Sequence, residues 1–140
     1  MTESIKVQIA NSKNQLDEIF DIRRIVFVVE QQVDEREEYD EFETSCTHLI
    51  ALYNDKPVGT CRFRNTDKGI KLERFAVLKE FRNKAIGAAL VRKVLELIDL
   101  NQHIYLHAQI QVVDFYAQFG FKKVGEQFVE ANIKHYKMVL

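Results

Sequence analysis

The sequence contains no tryptophan, one proline, five glycines and two cysteines, Cys46 and Cys61. Such low proline and glycine contents exclude collagen-like and proline-rich chains. The two cysteines lack the close spacing of a metal-binding or redox motif, so the pattern predicts neither a zinc site nor a dithiol centre. We expect both to be free thiols that serve packing, as is usual in a reducing compartment.

Long apolar runs and net charge are also lacking. The longest apolar runs, such as Ile25–Val29, have five residues, far fewer than a membrane span requires. The 140 residues carry 20 basic and 21 acidic side chains, a balance that argues against a charge-driven nucleic-acid binder. Residues 1–6 are polar and not typical of a signal peptide. We therefore expect one cytoplasmic domain over residues 1–140, with no membrane or nucleic-acid partner.

The charges are unevenly distributed along the chain. Residues 1–60 hold 13 acidic and 6 basic side chains, whereas residues 61–140 hold 8 acidic and 14 basic ones. Seven of the acids fall between Asp34 and Glu43. The acidic part suits a cationic partner such as an amine, and the basic part suits an anionic one. The alternative, which charge alone favours, is solvated surface without a partner.

The periodicity of apolar residues predicts a mixed α/β fold with the order β-α-β-β-β-α-β-α-β-β. Strict alternation in the fourth predicted strand places Leu72, Arg74 and Ala76 on one face and Glu73, Phe75 and Val77 on the other. Residues 34–43 are predicted as a loop or a frayed helical turn. The predicted elements are a strand at 5–9, a helix from Asn11 or Ser12 to about 30–31, strands at 48–53, 58–64 and 70–77, a helix at 84–100, a strand at 103–108, a helix at 112–119, and strands at 121–125 and 134–139.

The most informative segment is the short basic loop that leads from the strand 70–77 into the helix 84–100. Arg82 and Lys84 lie at the helix entrance, with small residues at 85, 87, 88 and 89. Unpaired N–H groups at a helix N-terminus bind anionic oxygens, and small residues let a phosphate approach the backbone. The pattern therefore indicates a phosphate-binding cradle. Small residues packed on a sheet are an equally good interpretation of this segment alone.

Several common site motifs are missing. The sequence has no G-x-x-x-x-G-K-[ST], no G-x-G-x-x-G and no H-E-x-x-H, which argues against P-loop, dinucleotide-binding and zinc-protease chemistry. No metal site is expected. The four scattered histidines are each expected to be structural rather than catalytic: His48, His103, His107 and His135.

Several segments of the chain resemble those of a known protein family. Residues 82–87, Arg-Asn-Lys-Ala-Ile-Gly, are similar to the R-x-x-G-x-[GA] motif with which GNAT N-acetyltransferases bind acetyl-CoA. Residues 109–121 resemble the family's N-x-x-A-x-x-F-Y-x-x-x-G-F segment, with Gln109 in place of Asn and Val112 in place of Ala. Shorter segments along the whole chain, including residues 26–31, 38–40 and 48–49, are similar to the ElaA-like (YjcF-like) branch. The resemblance implies the GNAT fold, a central mixed sheet flanked by helices.

The resemblance implies transfer of an acetyl group from acetyl-CoA to a primary amine of a small molecule or peptide, by a monomer or homodimer. A non-catalytic acyl-CoA-binding module on the same fold is the alternative. Ala85 stands where the family usually has glycine. We expect its methyl group to narrow the cradle, although alanine itself is a good helix residue. The residues expected to contact CoA are Phe75, Ala76, Val77, Arg82, Asn83, Lys84, Ala85, Ile86, Gly87, Ala88, Gln109 and Phe115.

The resemblance also implies two catalytic residues. Tyr116 would be the general acid that protonates the CoA thiolate, although its spacing alone suggests a core aromatic residue. Glu73 would be the general base, with a pKa raised by burial. The equal alternative for Glu73 is an ion pair with one of the nearby arginines at 62, 64 or 74. His107 and His135 are reserve candidates for the base.

Further expectations concern the acceptor side. The resemblance implies that the fourth and fifth strands separate and hold the thioester between them, and we expect a backbone N–H of Ala76 or Val77 to stabilise the oxyanion. The acids of residues 34–43 would help to attract an amine, with a solvated loop as the alternative. The residues expected to line the acceptor pocket are Glu30, Gln31, His48, Arg62 and His135.

Overall fold

Seven strands form one sheet in the order β1-β2-β3-β4-β5-β7-β6 in the computed structural model. The structure describes residues 4–140, so residues 1–3 of the polar N-terminal segment lie outside the described residues. The predicted order of strands and main helices is confirmed. The elements are β1 (Ile5–Ile9), α1 (Lys13–Arg23, continued by a π-helical segment, Arg24–Glu30), α2 (Glu35–Glu38), β2 (Thr47–Tyr53), β3 (Lys56–Thr66), β4 (Gly69–Val77), α3 (Ile86–Leu97), β5 (Ile104–Gln109), α4 (Val113–Ala117), β6 (Lys122–Glu130) and β7 (Ile133–Val139).

The centre of the sheet is open at one end. β4 and β5 are parallel, and they pair only from Ile70 opposite Ile104 to Leu72 opposite Leu106. Both strands continue beyond these pairs, β4 to Val77 and β5 to Gln109. The two strands therefore separate, as the family resemblance implies, and leave a gap in the middle of the sheet.

The main core lies between α3 and one face of the sheet. Ile86, Leu90 and Val94 recur every four residues and are each at most 1% exposed, which confirms the predicted helical period. Burying each such side chain contributes about 1.5–3 kcal/mol. A smaller core on the opposite face joins α1 and its π-helical extension to Ala76 of β4. Within residues 4–140, no helix combines the length and apolar character needed to cross a membrane.

β4 contains a bulge that alternation did not predict. Arg74 has a left-handed backbone, with φ of 59°, and the β3–β4 register shifts between Thr60 and Arg62. The predicted division of faces is therefore wrong beyond this point. Leu72 packs in the α3-side core, whereas Ala76 packs in the α1-side core.

The last hairpin is longer than predicted. β6 extends to Glu130 rather than ending near residue 125. The turn to β7 has positive φ at both central residues, Ala131 at 51° and Asn132 at 63°. This is the type I′ geometry whose twist matches a two-residue hairpin. Its usual sequence signal, Asn-Gly or Asp-Gly, is missing here, so the extension could not be anticipated.

Candidate active site

The gap between β4 and β5 opens into a cleft of about 810 Å³ that reaches from the start of α3 to the β6–β7 hairpin. Most of the expected site residues line this cleft, whereas five of them do not: His48, Arg62, Asn83, Lys84 and Ile86. The expected site residues that line it are Glu30, Gln31, Glu73, Phe75, Ala76, Val77, Arg82, Ala85, Gly87, Ala88, Gln109, Phe115, Tyr116 and His135.

The backbone of β4 faces the cleft at alternate residues. Leu78 donates its N–H to the carbonyl of Val58 on the β3 side, at 2.8 Å. Because peptide groups alternate along an antiparallel ladder, Ala76 also bonds toward β3, while Phe75 and Val77 direct their N–H and C=O groups into the gap. The expectation that all three residues present backbone groups to CoA is thus corrected to Phe75 and Val77, and of the two expected oxyanion donors, Ala76 and Val77, only Val77 faces the gap.

The entrance to α3 has a left-handed residue before it. Ala85 has φ 62° and ψ 25°, and the helix begins at Ile86, two residues later than predicted. The expectation that Ala85 is an ordinary helix residue is therefore wrong. The first intrahelical hydrogen bond runs from the Ala89 N–H to the Ala85 carbonyl, at 3.1 Å. Helix geometry thus leaves the N–H groups of Gly87 and Ala88, which line the cleft, available for an anion.

Gly87 also allows close packing between helices. A Cβ atom at this position would lie 3.3 Å from Cζ of Phe115. Phe115 precedes Tyr116 on α4, and both aromatic rings line the cleft. The packing interpretation of the small-residue stripe therefore applies to Gly87, and the position of its N–H group also suits the cradle interpretation.

The basic side chains of the loop have other partners. Arg82 donates from Nη1 and Nη2 to the Glu30 carboxylate, at 2.6 and 2.7 Å, and from Nε to the Val77 carbonyl, at 2.9 Å. The Arg82 hydrogen bond lowers the pKa of Glu30. Lys84 lies over the ring of Tyr53, at 5.2 Å. The groups at the α3 entrance that suit an anion are therefore backbone N–H groups rather than these two cations.

Tyr116 is both a core residue and a cleft residue. It is 7% exposed, with ring centroids of Phe75, Phe115 and Phe121 at 5.6, 5.0 and 6.2 Å. Burial raises the pKa of Tyr116. The hydroxyl therefore keeps its proton at neutral pH, as a general acid must.

Glu73 is surrounded by cations. Its carboxylate accepts hydrogen bonds from Arg62 at 2.6 Å and Arg64 at 2.9 Å, and it lies 3.3 Å from Nζ of Lys71. Burial alone would raise the pKa of Glu73, but the charge of Arg62 and the hydrogen bond from Arg64 outweigh it, so the pKa is lowered. The expected rise is wrong, and the geometry is that of the ion-pair alternative.

The acidic segment neutralises buried arginines. Arg23 and Arg62 are each 1% exposed. Glu43 accepts hydrogen bonds from both, at 2.8 Å, Glu38 accepts one from Arg23 at 2.8 Å, and Asp40 accepts one from Arg62 at 2.9 Å. These three acids are not part of a solvated loop. The other four acids of residues 34–43 are exposed, as that alternative predicted, and two acids of the segment line the cleft, Glu37 and Glu38. Arg62 is therefore a structural residue rather than an acceptor-pocket residue.

His48 also lies away from the cleft. Its Nε2 is 2.8 Å from the Glu43 carbonyl oxygen and 3.2 Å from Sγ of Cys46. Burial lowers the pKa of His48, which favours the neutral ring. Cys46 is half-buried and Cys61 is buried in the core, and both are free thiols. The expected role of His48 in the acceptor pocket is thus not supported by its position.

On the β5–β7 wall of the cleft, the fold brings together residues whose contacts the sequence analysis did not predict. His107 Nδ1 lies 3.1 Å from Glu130 Oε2, and both residues line the cleft. His135 Nδ1 lies 2.7 Å from the Ile133 carbonyl. Gln109 donates from Nε2 to Gln31 Oε1, at 2.9 Å. Glu130 was missed because β6 was predicted to end before it.

Comparison with known proteins agrees with the family resemblance of the sequence. The model of the acetyltransferase (GNAT) domain family matches residues 11–140. Bacillus subtilis YjcF, described as an uncharacterized N-acetyltransferase, is 37% identical over 139 residues, which cover 96% of this chain and 99% of that protein. Protein ElaA of Escherichia coli is 30% identical over 134 residues, which cover 91% of this chain and 88% of ElaA.

Solved structures agree with the observed fold. The crystal structure of Escherichia coli ElaA has a TM-score of 0.86 at 28% identity, covering 97% of this chain and 99% of that one. An aminoglycoside 6'-N-acetyltransferase complexed with coenzyme A has a TM-score of 0.68 at 18% identity, covering 98% of this chain and 96% of that one. The second likeness shows the fold alone.

Proposed function

Since this chain belongs to the acetyltransferase (GNAT) family, we propose that it transfers an acetyl group from acetyl-CoA to a primary amine. One observation carries the proposal. β4 and β5 stop pairing after Leu72 and Leu106, and the resulting cleft leads to the amide-lined start of α3. A fold neighbour, the aminoglycoside acetyltransferase, is complexed with coenzyme A.

The cleft offers a separate site for each part of acetyl-CoA. The diphosphate suits the N–H groups of Gly87 and Ala88, where the helix dipole favours negative charge. The extended pantetheine arm suits the backbone groups of Phe75 and Val77, which face the gap as the edge of a β-strand does. The thioester would then lie near Tyr116, at the separation of the two strands.

The acetyl group would move in one direct transfer. The amine nitrogen attacks the thioester carbonyl carbon, a C–N bond forms, and the C–S bond breaks. The Tyr116 hydroxyl would protonate the leaving sulfur. Glu73 is not part of this proposal, because three cations pair with its carboxylate and lower its pKa, which makes it a weak base.

Calorimetric titration of acetyl-CoA tests the cradle. We expect Gly87→Glu to weaken binding at least about tenfold, since each 1.4 kcal/mol of repulsion between the new carboxylate and the diphosphate is a factor of ten. Gly87→Ala is the matched control, because its methyl group meets the same Phe115 ring at 3.3 Å without adding charge. Equal affinities of the Glu and Ala variants would contradict the cradle.

A turnover assay distinguishes the proposed enzyme from the alternative, a non-catalytic acyl-CoA-binding module. With acetyl-CoA and a panel of primary amines, we expect release of the free CoA thiol to exceed the rate without protein. Binding of acetyl-CoA without any such release would instead support the non-catalytic module.

A further inference from the structure

His107 lies where β4 and β5 separate. It directly follows Leu106, the last residue of β5 that pairs with β4. Leu106 packs in the α3-side core, so alternation directs His107 to the opposite face. Gln109, two residues further along, reaches Gln31 at the end of the π-helical segment. His107 therefore faces the half of the cleft that lies across the sheet from the α3 entrance.

Glu130 sets the tautomer of the His107 ring. Its Oε2 lies 3.1 Å from His107 Nδ1, and the hydrogen bond to His107 lowers the pKa of Glu130 to about 2. An ionised carboxylate at Nδ1 keeps the hydrogen there and leaves the lone pair on Nε2. Phe128 packs edge-on against the ring, with centroids 5.0 Å apart, which restricts its rotation.

Other charged groups surround this pair. Lys71 of β4 and His135 of β7 both help to lower the pKa of Glu130. Lys137 of β7 lies directly opposite His107 in the strand register. Two other carboxylates of the cleft lining have cationic partners, Glu30 with Arg82 and Glu73 with Arg62. These partners make the two carboxylates weaker proton acceptors than free ones.

We propose that His107 and Glu130 form a catalytic dyad in which His107 Nε2 removes the proton from the acceptor ammonium. The inference rests on the proposed acetyl transfer. The ammonium gives one proton to Nε2, and Glu130 stabilises the imidazolium. The nitrogen lone pair forms the C–N bond, and the sulfur leaves with the Tyr116 proton. The second amine proton restores Tyr116, and His107 releases its proton to solvent, so the products are the amide, CoA thiol and H⁺.

A matched pair of amines isolates proton removal from other effects. Benzylamine is protonated at neutral pH, whereas O-benzylhydroxylamine is largely unprotonated and needs no base. For His107→Gln with acetyl-CoA, we expect kcat/KM to fall by about 10²–10⁴ with benzylamine and by less than about tenfold with O-benzylhydroxylamine. Glu130→Gln should give a smaller loss with the same selectivity. His103→Gln, just before the same strand and outside the cleft lining, is the control.

A spectroscopic measurement tests the geometry independently of activity. ¹⁵N NMR of the histidine rings should show His107 as the Nδ1–H tautomer in the native protein and as a mixture in Glu130→Gln. Equal losses with both amines, or an amine-selective loss in His135→Gln instead of His107→Gln, would overturn the dyad alone. Turnover of neither amine by the native protein would overturn the acetyl-transfer proposal and the dyad together.

Discussion

At the scale of the residue, Ala85 has a backbone conformation that suits glycine better. Its φ of 62° is left-handed, and an L-residue there costs roughly 1–2 kcal/mol that glycine avoids. We expect Ala85→Gly to raise the free energy of unfolding by about 1 kcal/mol, measured by urea denaturation. Ala89→Gly, inside the same helix, should lower it by about 1 kcal/mol. The same sign for both variants would contradict a strained Ala85.

The chemistry of single residues was only partly predictable from the sequence. The family motif implied a cleft position for Tyr116, whereas its spacing alone predicted a core residue, and the structure shows both. The direction of the Glu73 pKa was not predictable. It depends on Arg62 and Arg64, which a β-ladder brings to the carboxylate, and on how their charges balance its burial.

At the scale of the element, one ion pair ties the loop before α3 to the segment after α1. The Arg82 and Glu30 side chains are 39% and 37% exposed, so the pair is a solvated one whose coupling is expected at about 0.2–1 kcal/mol. A double-mutant cycle of Arg82→Gln and Glu30→Gln, followed by urea denaturation, measures this coupling. We expect it to shrink as salt is added. Additive effects of the two substitutions would show that the contact does not join the elements.

The order of the elements followed from periodicity, whereas their ends did not. The four-residue spacing of Ile86, Leu90 and Val94 was enough to predict α3. Its start was misplaced because Ala85 takes a conformation that its side chain does not favour. Likewise, the Ala131–Asn132 turn lengthens β6 without a glycine signal. The contact between His107 and Glu130, 23 residues apart, depends on that extension. Sequence patterns could therefore not predict it.

At the scale of the whole molecule, pairing between the acidic and basic parts of the chain cancels part of the charge imbalance. The excess of acids before residue 60 suggested an external cation or a solvated surface. In the structure, acids of residues 34–43 instead reach across to Arg62 of β3 and Arg74 of β4. Composition reports an imbalance of charge, but only the fold decides whether the matching charge lies inside or outside the molecule.

This internal pairing predicts how stability depends on pH. Burial opposes ionisation of Asp40 and Glu73, but their arginine partners lower both pKa values, that of Asp40 from 3.8 to about 2. A depressed carboxyl pKa stabilises the folded state above the unfolded value and loses that effect as pH falls through the folded value. Burial raises the pKa of Glu38, so its contribution has the opposite sign.

We therefore expect the free energy of unfolding to fall as pH decreases from about 4 toward 2, measured by urea denaturation at each pH. Asp40→Asn removes one of the depressed carboxyls, so its stability should fall less steeply over this range, although its stability at pH 7 should be lower than that of the native protein. Asp67→Asn, which removes an exposed carboxyl in the turn between β3 and β4, is the control. Identical pH slopes for native and Asp40→Asn protein would mean that the Asp40–Arg62 pair does not contribute to folding.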